Sequence, residues 1–412
     1  MRLLIYEHAS GGGFADNSIP TGILSEGFSM LRKLISDFKD AGHTVTTTLD
    51  SRIAKLKPPI LADCSVPISS SEEIPTILQE LSEQAEATYV IAPETDNLLK
   101  SLVELLEKTD IISLNCSKST IEKLSNKACF YETVKRQILV PETIMLSVLD
   151  DIKYVTKTVR DCLNLPAVFK PVDGVSSGGV SIVKKKEQVA GAIAKIKAIS
   201  SNESFLVQEL IRGDAASVCM FSTGNNAMPI SLNRQDIKLT TAKFCSSYMG
   251  GLVPFDHPLK KATFEVAKKL ADSISGLRGY FGLDFVLTNE APVVIEVNPR
   301  LTTSYIGLRN ILNFNPAQAI IDAVLERKLP IKVESLGFVY FSKVQTPLPM
   351  KEELQQIYAM DEVISPPFPF SESNMTSALI LSSGDTVQEA KTKFHEAKKH
   401  VFHNISEGMK WW

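Results

Sequence analysis

The stretch from Gly282 to Ser304 (GLDFVLTNEAPVVIEVNPRLTTS) most constrains the fold, because it predicts two strands joined by a turn. Apolar residues alternate on either side of the polar segment TNEAP, which is the pattern of a β-hairpin. Alternate side chains of a strand share a face, so Glu296 and Asn298 leave the second strand on one side. Asp284 lies twelve residues before Glu296, and a hairpin brings it to the same face. The stretch therefore predicts two carboxylates and an amide oxygen converging on an otherwise apolar sheet.

Few oxygen ligands, with room left for phosphate oxygens, suit a hard divalent cation. Pro299 ends the second strand, and Arg300 then supplies a planar cation close to these oxygens. The alternative is a half-exposed hairpin with ordinary surface polar residues. Glu-x-Asn-Pro-Arg opposite an aspartate is a more specific combination than that, and it favours metal–nucleotide chemistry with Asp284, Glu296 and Asn298 as metal ligands.

Length and composition limit the class of protein. A chain of 412 residues with 44 % hydrophobic and 22 % charged residues is typical of a globular protein with two to four domains. The net charge of -3 gives no electrostatic reason to expect a nucleic acid or a membrane as partner. Six scattered cysteines without a Cys-x-x-Cys pair argue against a zinc site or a disulfide framework. The first apolar run is too short for a signal peptide, and we expect a cytoplasmic protein.

Strands alternate with helices up to about residue 115, which predicts a parallel sheet covered on both faces. The first strand leads into the loop EHASGGGFADNS, whose three consecutive glycines permit close approach of the backbone to a ligand. The glycine spacing does not meet the dinucleotide-binding fingerprint. A loop that covers a substrate and a merely mobile turn both remain open here, and Glu7 is a candidate substrate residue.

A second glycine-rich segment, VDGVSSGG, follows an apolar strand that ends in Lys170. Burying a lone ammonium group at such a position costs free energy unless an anion lies beside it. Glycine N–H groups and serine hydroxyls can surround phosphate oxygens, although the Gly-Lys-Ser/Thr ending of a P-loop is missing. Lys127 lies between two predicted helices, where a lysine is usually solvated. Lys170, the glycine-rich segment and the downstream hairpin together predict a nucleotide site.

The segment SFLVQELIRGDAASVCMF predicts a strand, a short link and another strand. The link would present backbone groups to an adenine ring, with Glu209 or Asp214 near a ribose, and a plain strand connection is the alternative. Further on, Arg234 and Gln235 are candidate substrate residues. The predicted domains are an α/β unit, two halves of a nucleotide-binding unit and a small α+β unit, with bounds 1–115, 116–205, 206–330 and 331–412.

Taken together, residues 116–330 resemble the ATP-grasp superfamily, which holds ATP between two α+β subdomains and forms an acyl phosphate from a carboxylate. The preceding α/β unit fits the Rossmann-like pre-ATP-grasp domain of such enzymes. The resemblance implies two Mg2+ ions (with Mn2+ as an alternative) on Asp284, Glu296 and Asn298, and catalytic roles for Arg300 and Lys170. It also implies nucleotide binding by Lys127, Lys170, Gly174, Ser176, Ser177, Gly178, Gly179, Gln208, Glu209, Leu210, Ile211 and Asp214.

Within the superfamily the chain is most similar to the tyramine–glutamate ligase group of methanofuran-type cofactor biosynthesis. This resemblance depends on YEHASGGG, ILSEGFSML, LNRQDI and YMGGLVP, which are softer motifs than the ATP site. Gly282 departs from the pattern of some ligases of the superfamily, which have an arginine at this position. Stabilisation of a tetrahedral intermediate would then come from Arg300 or Arg234. The segment after residue 330 is larger than this group requires.

The expected function is an ATP-dependent ligase that joins a small-molecule carboxylate to an amine, in an expected homodimer. A carboxylase or carbamoyl-phosphate-type enzyme acting on bicarbonate is one alternative, although no biotin-attachment segment is recognisable. A nucleotide-binding regulatory protein with a degenerate site is another. The filled lysine and metal-ligand positions argue against the second alternative.

Overall fold

The computed structural model describes residues 1–174 and 178–408, and they form three β-sheets with helices packed on them. The strands are β1 (Arg2–Glu7), β2 (Thr44–Asp50), β3 (Cys64–Ile68), β4 (Ala87–Ile91), β5 (Ile112–Ser113), β6 (Thr143–Ser147), β7 (Ala167–Pro171), β8 (Ser181–Val183), β9 (Ser204–Glu209), β10 (Asp214–Thr223), β11 (Ala227–Lys238), β12 (Ser247–Val253), β13 (Arg278–Leu287), β14 (Pro292–Asn298), β15 (Phe338–Pro347), β16 (Val363–Ser365) and β17 (Met375–Gly384).

The helices are α1 (Thr21–Asp40), α2 (Ser51–Leu56), α3 (Ile74–Ser82), α4 (Leu98–Glu107), α5 (Lys118–Ser125), α6 (Lys127–Val134), α7 (Ile152–Cys162), α8 (Val189–Lys197), α9 (Lys260–Asp272), α10 (Tyr305–Ile311), α11 (Pro316–Ile321), α12 (Lys351–Tyr358) and α13 (Val387–Gly408). A π-helical turn, Asp322–Glu326, extends α11. Of the helices in the described part of the chain, none combines the length and apolar character needed to cross a membrane.

The first sheet is parallel, with strand order β3-β2-β1-β4-β5. Its central strand β1 is buried from Leu3 onwards, as expected for a parallel strand covered on both faces. Helix α1 packs on one face through an apolar stripe that includes Leu24, Phe28 and Leu31. The parallel α/β unit predicted from the sequence is thus confirmed.

The second sheet is antiparallel, with strand order β6-β9-β7-β8, and it has a small core of its own. Phe169 of β7 and Phe205 of β9 stack within this core at 5.8 Å between ring centroids. Helices α7 and α8 bring Val155, Val159 and Ile193 to the same core. This sheet carries Lys170 and Gln208 at one end, facing the third sheet across a cavity.

The third sheet has eight antiparallel strands in the order β14-β13-β10-β11-β12-β15-β17-β16. It therefore runs across the domain boundary predicted at residue 330, because β15, β17 and β16 extend the sheet that holds the hairpin. The first domain also packs on this extension, and the rings of Phe28 and Phe368 meet edge to face with centroids 5.0 Å apart. The segment after residue 330 thus shares its sheet and part of its core with the rest of the protein.

The connecting strand β12 was not anticipated from the sequence, because its glycines give it little strand propensity. A Cβ atom on Gly250 would lie 2.1 Å from the carbonyl oxygen of Phe341, and one on Gly251 would lie 2.2 Å from that of Arg234. The two glycines let β12 approach β15 on one side and β11 on the other. The two glycines therefore allow β12 to connect the two parts of the large sheet, by pairing with β11 and with β15.

Candidate active site

A cavity of about 470 Å³ lies between the second and third sheets and is closed at one end by the first domain. Most of the residues that the sequence singled out line it, although they come from all three sheets, from α6 and from the loops beside them. These are Glu7, Lys127, Lys170, Gly174, Gly178, Gln208, Glu209, Leu210, Ile211, Gln235, Asp284, Glu296, Asn298 and Arg300.

The predicted hairpin consists of β13 and β14, and its register places Asp284 directly opposite Glu296 and Gly282 opposite Asn298. Residues paired in this way across an antiparallel ladder have side chains on the same face. The Asp284 carboxylate accepts hydrogen bonds from Nδ2 of Asn298 at 3.0 Å and from Nε2 of Gln235 at 2.9 Å. The three predicted ligands thus meet at one point of the cavity.

Gly282 also has a steric reason to lack a side chain. A Cβ atom at this position would lie 2.6 Å from Cγ2 of Thr302, which fills the space beside β13. An arginine at residue 282, as in some ligases of the resembling superfamily, would clash with Thr302 as the chain is folded here. Arg300 is the guanidinium that lines the cavity beside the hairpin.

The two facing carboxylates have opposite pKa shifts. Burial, followed by the charge of Glu296, raises the pKa of Asp284 to about 7. For Glu296, burial opposes ionisation, but the ammonium groups of Lys127 and Lys170 outweigh it and lower its pKa. The pair is therefore anionic and closely spaced, which is the electrostatic situation that a divalent cation relieves.

Lys127 reaches the hairpin from the first residue of α6. The side chain of Asn126 caps this helix, and the backbone N–H of Lys127 donates to the carbonyl of Val172 just beyond β7, 2.8 Å away. The ammonium Nζ lies 3.2 Å from Oε2 of Glu296 and donates to the carbonyl of Gly174 at 3.1 Å. A lysine that the sequence alone would leave in solvent is thus fixed between the glycine-rich segment and the metal-ligand pair.

Lys170 lies on β7 and is almost fully buried, with 6 % of its surface exposed. Its Nζ donates to Oε1 of Gln208 at 2.9 Å, and Nε2 of Gln208 donates to Oγ1 of Thr143 at 2.9 Å. Burial lowers the pKa of Lys170 to about 8, against the attraction of Glu296. A buried ammonium whose protein neighbour here is a neutral amide has capacity left to bind an anion.

Arg300 is held by Glu94, a residue that the sequence analysis missed. Its Nε donates to Oε2 of Glu94 over 2.8 Å, and both side chains are largely buried at 15 % and 6 % exposure. Glu94 follows Pro93 just after β4, at the carboxyl end of a parallel strand. That location is where open α/β sheets commonly bind ligands, and this was the signal available in the sequence.

The donor set fits a magnesium ion. Asp284 and Glu296 offer four carboxylate oxygens and Asn298 an amide oxygen on one face of the hairpin, and these are the hard ligands that Mg2+ prefers. The ammonium groups of Lys127 and Lys170 line the same cavity, where they can balance the negative charge of a phosphate chain bound to such an ion.

Only some of the remaining candidate residues line the cavity. The segment Gln208–Ile211 lines the cavity at the end of β9, whereas Asp214 and Gly179 lie outside its lining. Ser176 and Ser177 are outside the described residues. Gln235 faces the hairpin, while Arg234, next to it on β11, pairs with Asp236 at 3.0 Å and does not line the cavity.

Glu7 lies at the far end of the cavity, and its carboxylate is held by its own loop. It accepts hydrogen bonds from the N–H groups of Ala9 and Ser10 and from the Ser10 hydroxyl, at 2.6–2.9 Å. Burial raises the pKa of Glu7 in spite of these bonds. A Cβ atom at Gly27 would lie 2.3 Å from Oε1 of Glu7, so α1 can pass this carboxylate only with a glycine there.

Two protein-family models and several known proteins match this chain. Residues 124–304 match the ATP-grasp domain family, and residues 43–121 match the pre ATP-grasp 3 domain family. The chain is 29 % identical to the tyramine–L-glutamate ligase of Methanocaldococcus fervens over 338 residues, which cover 82 % of this chain and 98 % of that enzyme. It is also 29 % identical to the tyramine–L-glutamate ligase of Methanocaldococcus jannaschii over 342 residues, covering 82 % and 93 %.

Among solved structures, an ATP-grasp superfamily protein from Archaeoglobus fulgidus superposes with a TM-score of 0.63 at 21 % identity, covering 92 % of this chain and 99 % of that one. This likeness concerns the fold. The two family matches and the full-length relatives confirm the resemblance and the fold class predicted from the sequence. The chain thus contains an ATP-grasp domain, residues 124–304, preceded by a pre ATP-grasp 3 domain, residues 43–121.

Proposed function

We propose that the protein is an ATP-dependent ligase that joins a carboxylate to an amine through an acyl phosphate, releasing ADP and phosphate. The observation that carries the proposal is the convergence in one cavity of the Asp284–Glu296 pair with Lys127, Lys170 and Arg300. Two relatives that align over almost their full length are named tyramine–L-glutamate ligases. Glutamate and an amine such as tyramine are therefore the proposed substrates.

The chemistry needs charge neutralisation more than a nucleophilic side chain. A carboxylate does not react with an amine at neutral pH, because oxide would have to leave. Attack of a carboxylate oxygen on the γ-phosphorus of ATP turns that oxygen into part of a phosphate, which leaves readily when the amine attacks the carbonyl carbon. Positively charged groups around the transferring phosphoryl group lower the barrier of the first step.

Each cationic side chain has a place in this scheme. Lys127 and Lys170 bind the α- and β-phosphates, since both ammonium groups face the cavity between the glycine-rich segment and the hairpin. Arg300 orients and neutralises the γ-phosphate, because Glu94 fixes its guanidinium beside the hairpin. The segment Gln208–Ile211 receives the adenine. In this arrangement the γ-phosphorus stays open to attack by the acid.

The metal site belongs to the same proposal. Asp284, Glu296 and Asn298 would hold two Mg2+ ions, with Mn2+ as an alternative. When bound, the ions would neutralise β- and γ-phosphate charge. Gln235 holds the Asp284 carboxylate by its 2.9 Å hydrogen bond, which keeps this ligand oriented towards the cavity.

Isotope transfer tests the proposal. Glutamate labelled with 18O in its carboxylates is incubated with ATP, tyramine and enzyme, and the inorganic phosphate is examined by mass spectrometry. We expect one 18O atom in phosphate for each amide formed, with ADP as the nucleotide product. AMP and pyrophosphate as products would refute the acyl phosphate route, and phosphate release that requires bicarbonate in place of an amino acid would favour a carboxylase.

A further inference from the structure

One wall of the cavity is apolar, and the proposed nucleotide chemistry does not use it. It consists of Ile23 and Met30 on α1, Ile237 on β11, Leu239 just beyond that strand, and Tyr248 on β12. Ile23 and Met30 lie two helical turns apart, so they share a face of α1. These five residues are referred to below as the apolar wall.

Lys343 on β15 connects the two parts of the apolar wall. Its Nζ lies 5.8 Å from the centre of the Tyr248 ring, and the same ammonium pairs with Glu26 of α1. Tyr248 is paired with Ile237 in the antiparallel ladder of β12 and β11, so the two side chains share a face. Helix α1 and strand β11 therefore contribute to one surface of the cavity.

The carboxylates beside the apolar wall are already occupied by protein groups. Glu26 pairs with Lys343 and accepts a hydrogen bond from Oγ1 of Thr303 at 3.1 Å. Glu7 accepts its hydrogen bonds from the N–H and hydroxyl groups of its own loop. The surface that this wall offers to a ligand is therefore mainly hydrocarbon.

Part of this hydrocarbon surface is left uncovered by the protein. Ile237 and Leu239 keep 37 % and 38 % of their surface exposed, and Ile23 is also partly exposed. Covering such surface with an apolar group of a ligand is favourable, because it removes both from water. A charged group placed against it would lose hydration without gaining a partner.

The apolar wall begins next to the proposed reacting centre. Ile237 lies two residues after Gln235, whose side chain donates to Asp284 of the hairpin. Residues two apart in a strand point to the same face and are about 6.6 Å from each other. At the α1 side, Thr303 from the segment after the hairpin donates to Glu26. A ligand on the apolar wall would thus have one end beside the hairpin.

We propose that the apolar wall binds the aromatic ring of the amine substrate, and that Ile23 and Ile237 determine the preference for an aromatic amine. The inference rests on the proposed ligase function, with glutamate as the acid and an amine such as tyramine. Of these two substrates, the amine carries the apolar group, whereas glutamate is charged at both ends. The ring of Tyr248 suits this occupant, because aromatic rings attract one another in edge-to-face and offset arrangements.

Steady-state kinetics on the full-length protein compares tyramine with ethylamine, which has the amino group but no ring. The variants Ile23→Trp and Ile237→Trp fill the space in front of the apolar wall, and Ile23→Ala and Ile237→Ala remove hydrocarbon from it. The control is Ile331→Trp, which places the same ring on a fully exposed residue outside the cavity lining. Thermal unfolding of each variant checks the fold.

A second probe, 4-ethylphenol, has the ring without the amino group. It is tested as an inhibitor, and its binding is measured by isothermal titration calorimetry with a non-hydrolysable ATP analogue and Mg2+ present. We expect it to compete with tyramine and not with ATP. This measurement does not depend on turnover, so it tests the ring subsite separately from the ligase reaction.

The wild type should prefer tyramine to ethylamine by about tenfold or more in kcat/KM, the size of effect expected for burial of one ring. Each tryptophan variant should raise KM for tyramine about tenfold or more, with KM for ATP and glutamate unchanged. Each alanine variant should reduce the preference for tyramine, and Ile331→Trp should leave all parameters as in wild type. If one tryptophan variant does not fold, the other and the two alanine variants carry the test.

A wild type that uses ethylamine as efficiently as tyramine would overturn the inference, as would folded tryptophan variants with unchanged KM for tyramine. An equal rise in KM for ATP or glutamate would also overturn it, because the apolar wall would then bind another substrate. If no acid and amine form an amide, the ligase proposal fails. Binding of 4-ethylphenol that Ile23→Trp abolishes would then still support the ring subsite, and a lack of binding to wild type would refute it.

Discussion

Arg300 and Glu94 are joined by a 2.8 Å hydrogen-bonded ion pair between Nε and Oε2, which connects the end of the hairpin to the loop after β4. Both side chains are largely buried, so neither has water as an adequate substitute partner. The pre-ATP-grasp domain thus sets the orientation of a guanidinium in the ATP-grasp cavity. This contact therefore links the two domains at the proposed active site.

Replacing Glu94 with Gln should lower kcat about tenfold or more and change the KM for ATP less, because Arg300 keeps a hydrogen-bond acceptor but loses its fixed charge partner. Arg300→Lys should have a larger effect on kcat, since the planar fork is lost. Steady-state kinetics with varied ATP separates the two parameters. Glu107→Gln is a matched control, because Glu107 faces Arg278 at 3.9 Å outside the cavity. Equal kcat values for Glu94→Gln and this control would contradict the positioning role.

Glu296→Gln should keep the fold, since the two side chains are nearly isosteric, and should reduce turnover by about 100-fold or more. The physical reason is the loss of a charged oxygen ligand for magnesium and of the partner of Lys127 at 3.2 Å. Turnover is measured as a function of magnesium concentration, with thermal unfolding as a check on the fold. Glu290→Gln, in the exposed turn of the same hairpin, is the control. A Glu296→Gln enzyme with wild-type activity at sub-saturating magnesium would refute the metal-ligand assignment.

Nucleotide binding should depend on pH through Lys170, whose pKa is lowered to about 8 by burial. Below this value the side chain is an ammonium and attracts phosphate, and above it the free protein holds a neutral amine that must take up a proton on binding. ADP affinity, measured with EDTA present, should therefore fall as pH rises from 7.5 to 9.5. Lys170→Arg keeps the charge over this range and should flatten the profile. Identical slopes for wild type and variant would contradict the expectation.

Asp37 gives a separate prediction about stability. It is buried on α1, accepts a hydrogen bond from the Tyr305 hydroxyl at 2.8 Å, and its pKa is raised to about 7 by burial. In the unfolded chain an aspartate titrates near pH 3.9, so between about pH 4 and 7 the folded state binds more protons than the unfolded state. Its contribution to the free energy of unfolding therefore falls as pH rises through this window and stays low above it.

Asp37→Asn removes this titration. The Tm of the variant relative to wild type should rise between pH 5 and pH 8, by an amount equivalent to a few kcal/mol at most. Differential scanning calorimetry across this range provides the measurement. The control variant is Glu290→Gln, at an exposed turn outside α1. A Tm difference for Asp37→Asn that does not change with pH would contradict the prediction.

Much of the nucleotide end of the site could be predicted from the sequence, because its residues lie on regular elements or directly beside them. A hairpin fixes by local geometry that Asp284, Glu296 and Asn298 share a face, and its pairing register agrees with that expectation. An apolar strand ending in Lys170 likewise marks an ammonium that needs a partner. Such patterns are local in sequence, so periodicity and spacing are enough to recognise them.

Other features of the site depend on contacts between residues that are hundreds of positions apart in the sequence. The Glu94–Arg300 and Glu26–Lys343 pairs join residues that are 206 and 317 positions apart, and no local pattern pairs them. Two neighbours in the sequence, Arg234 and Gln235, also differ in location because of the strand pairing. Gln235 faces Asp284, while Arg234 lies outside the cavity lining. The sequence by itself determined the fold class and the hairpin, because backbone periodicity is local. Which charges lie against one another, such as Lys343 of β15 against Glu26 of α1, depended on how the sheets and helices pack, because burial and ion pairing exist only after distant elements have met.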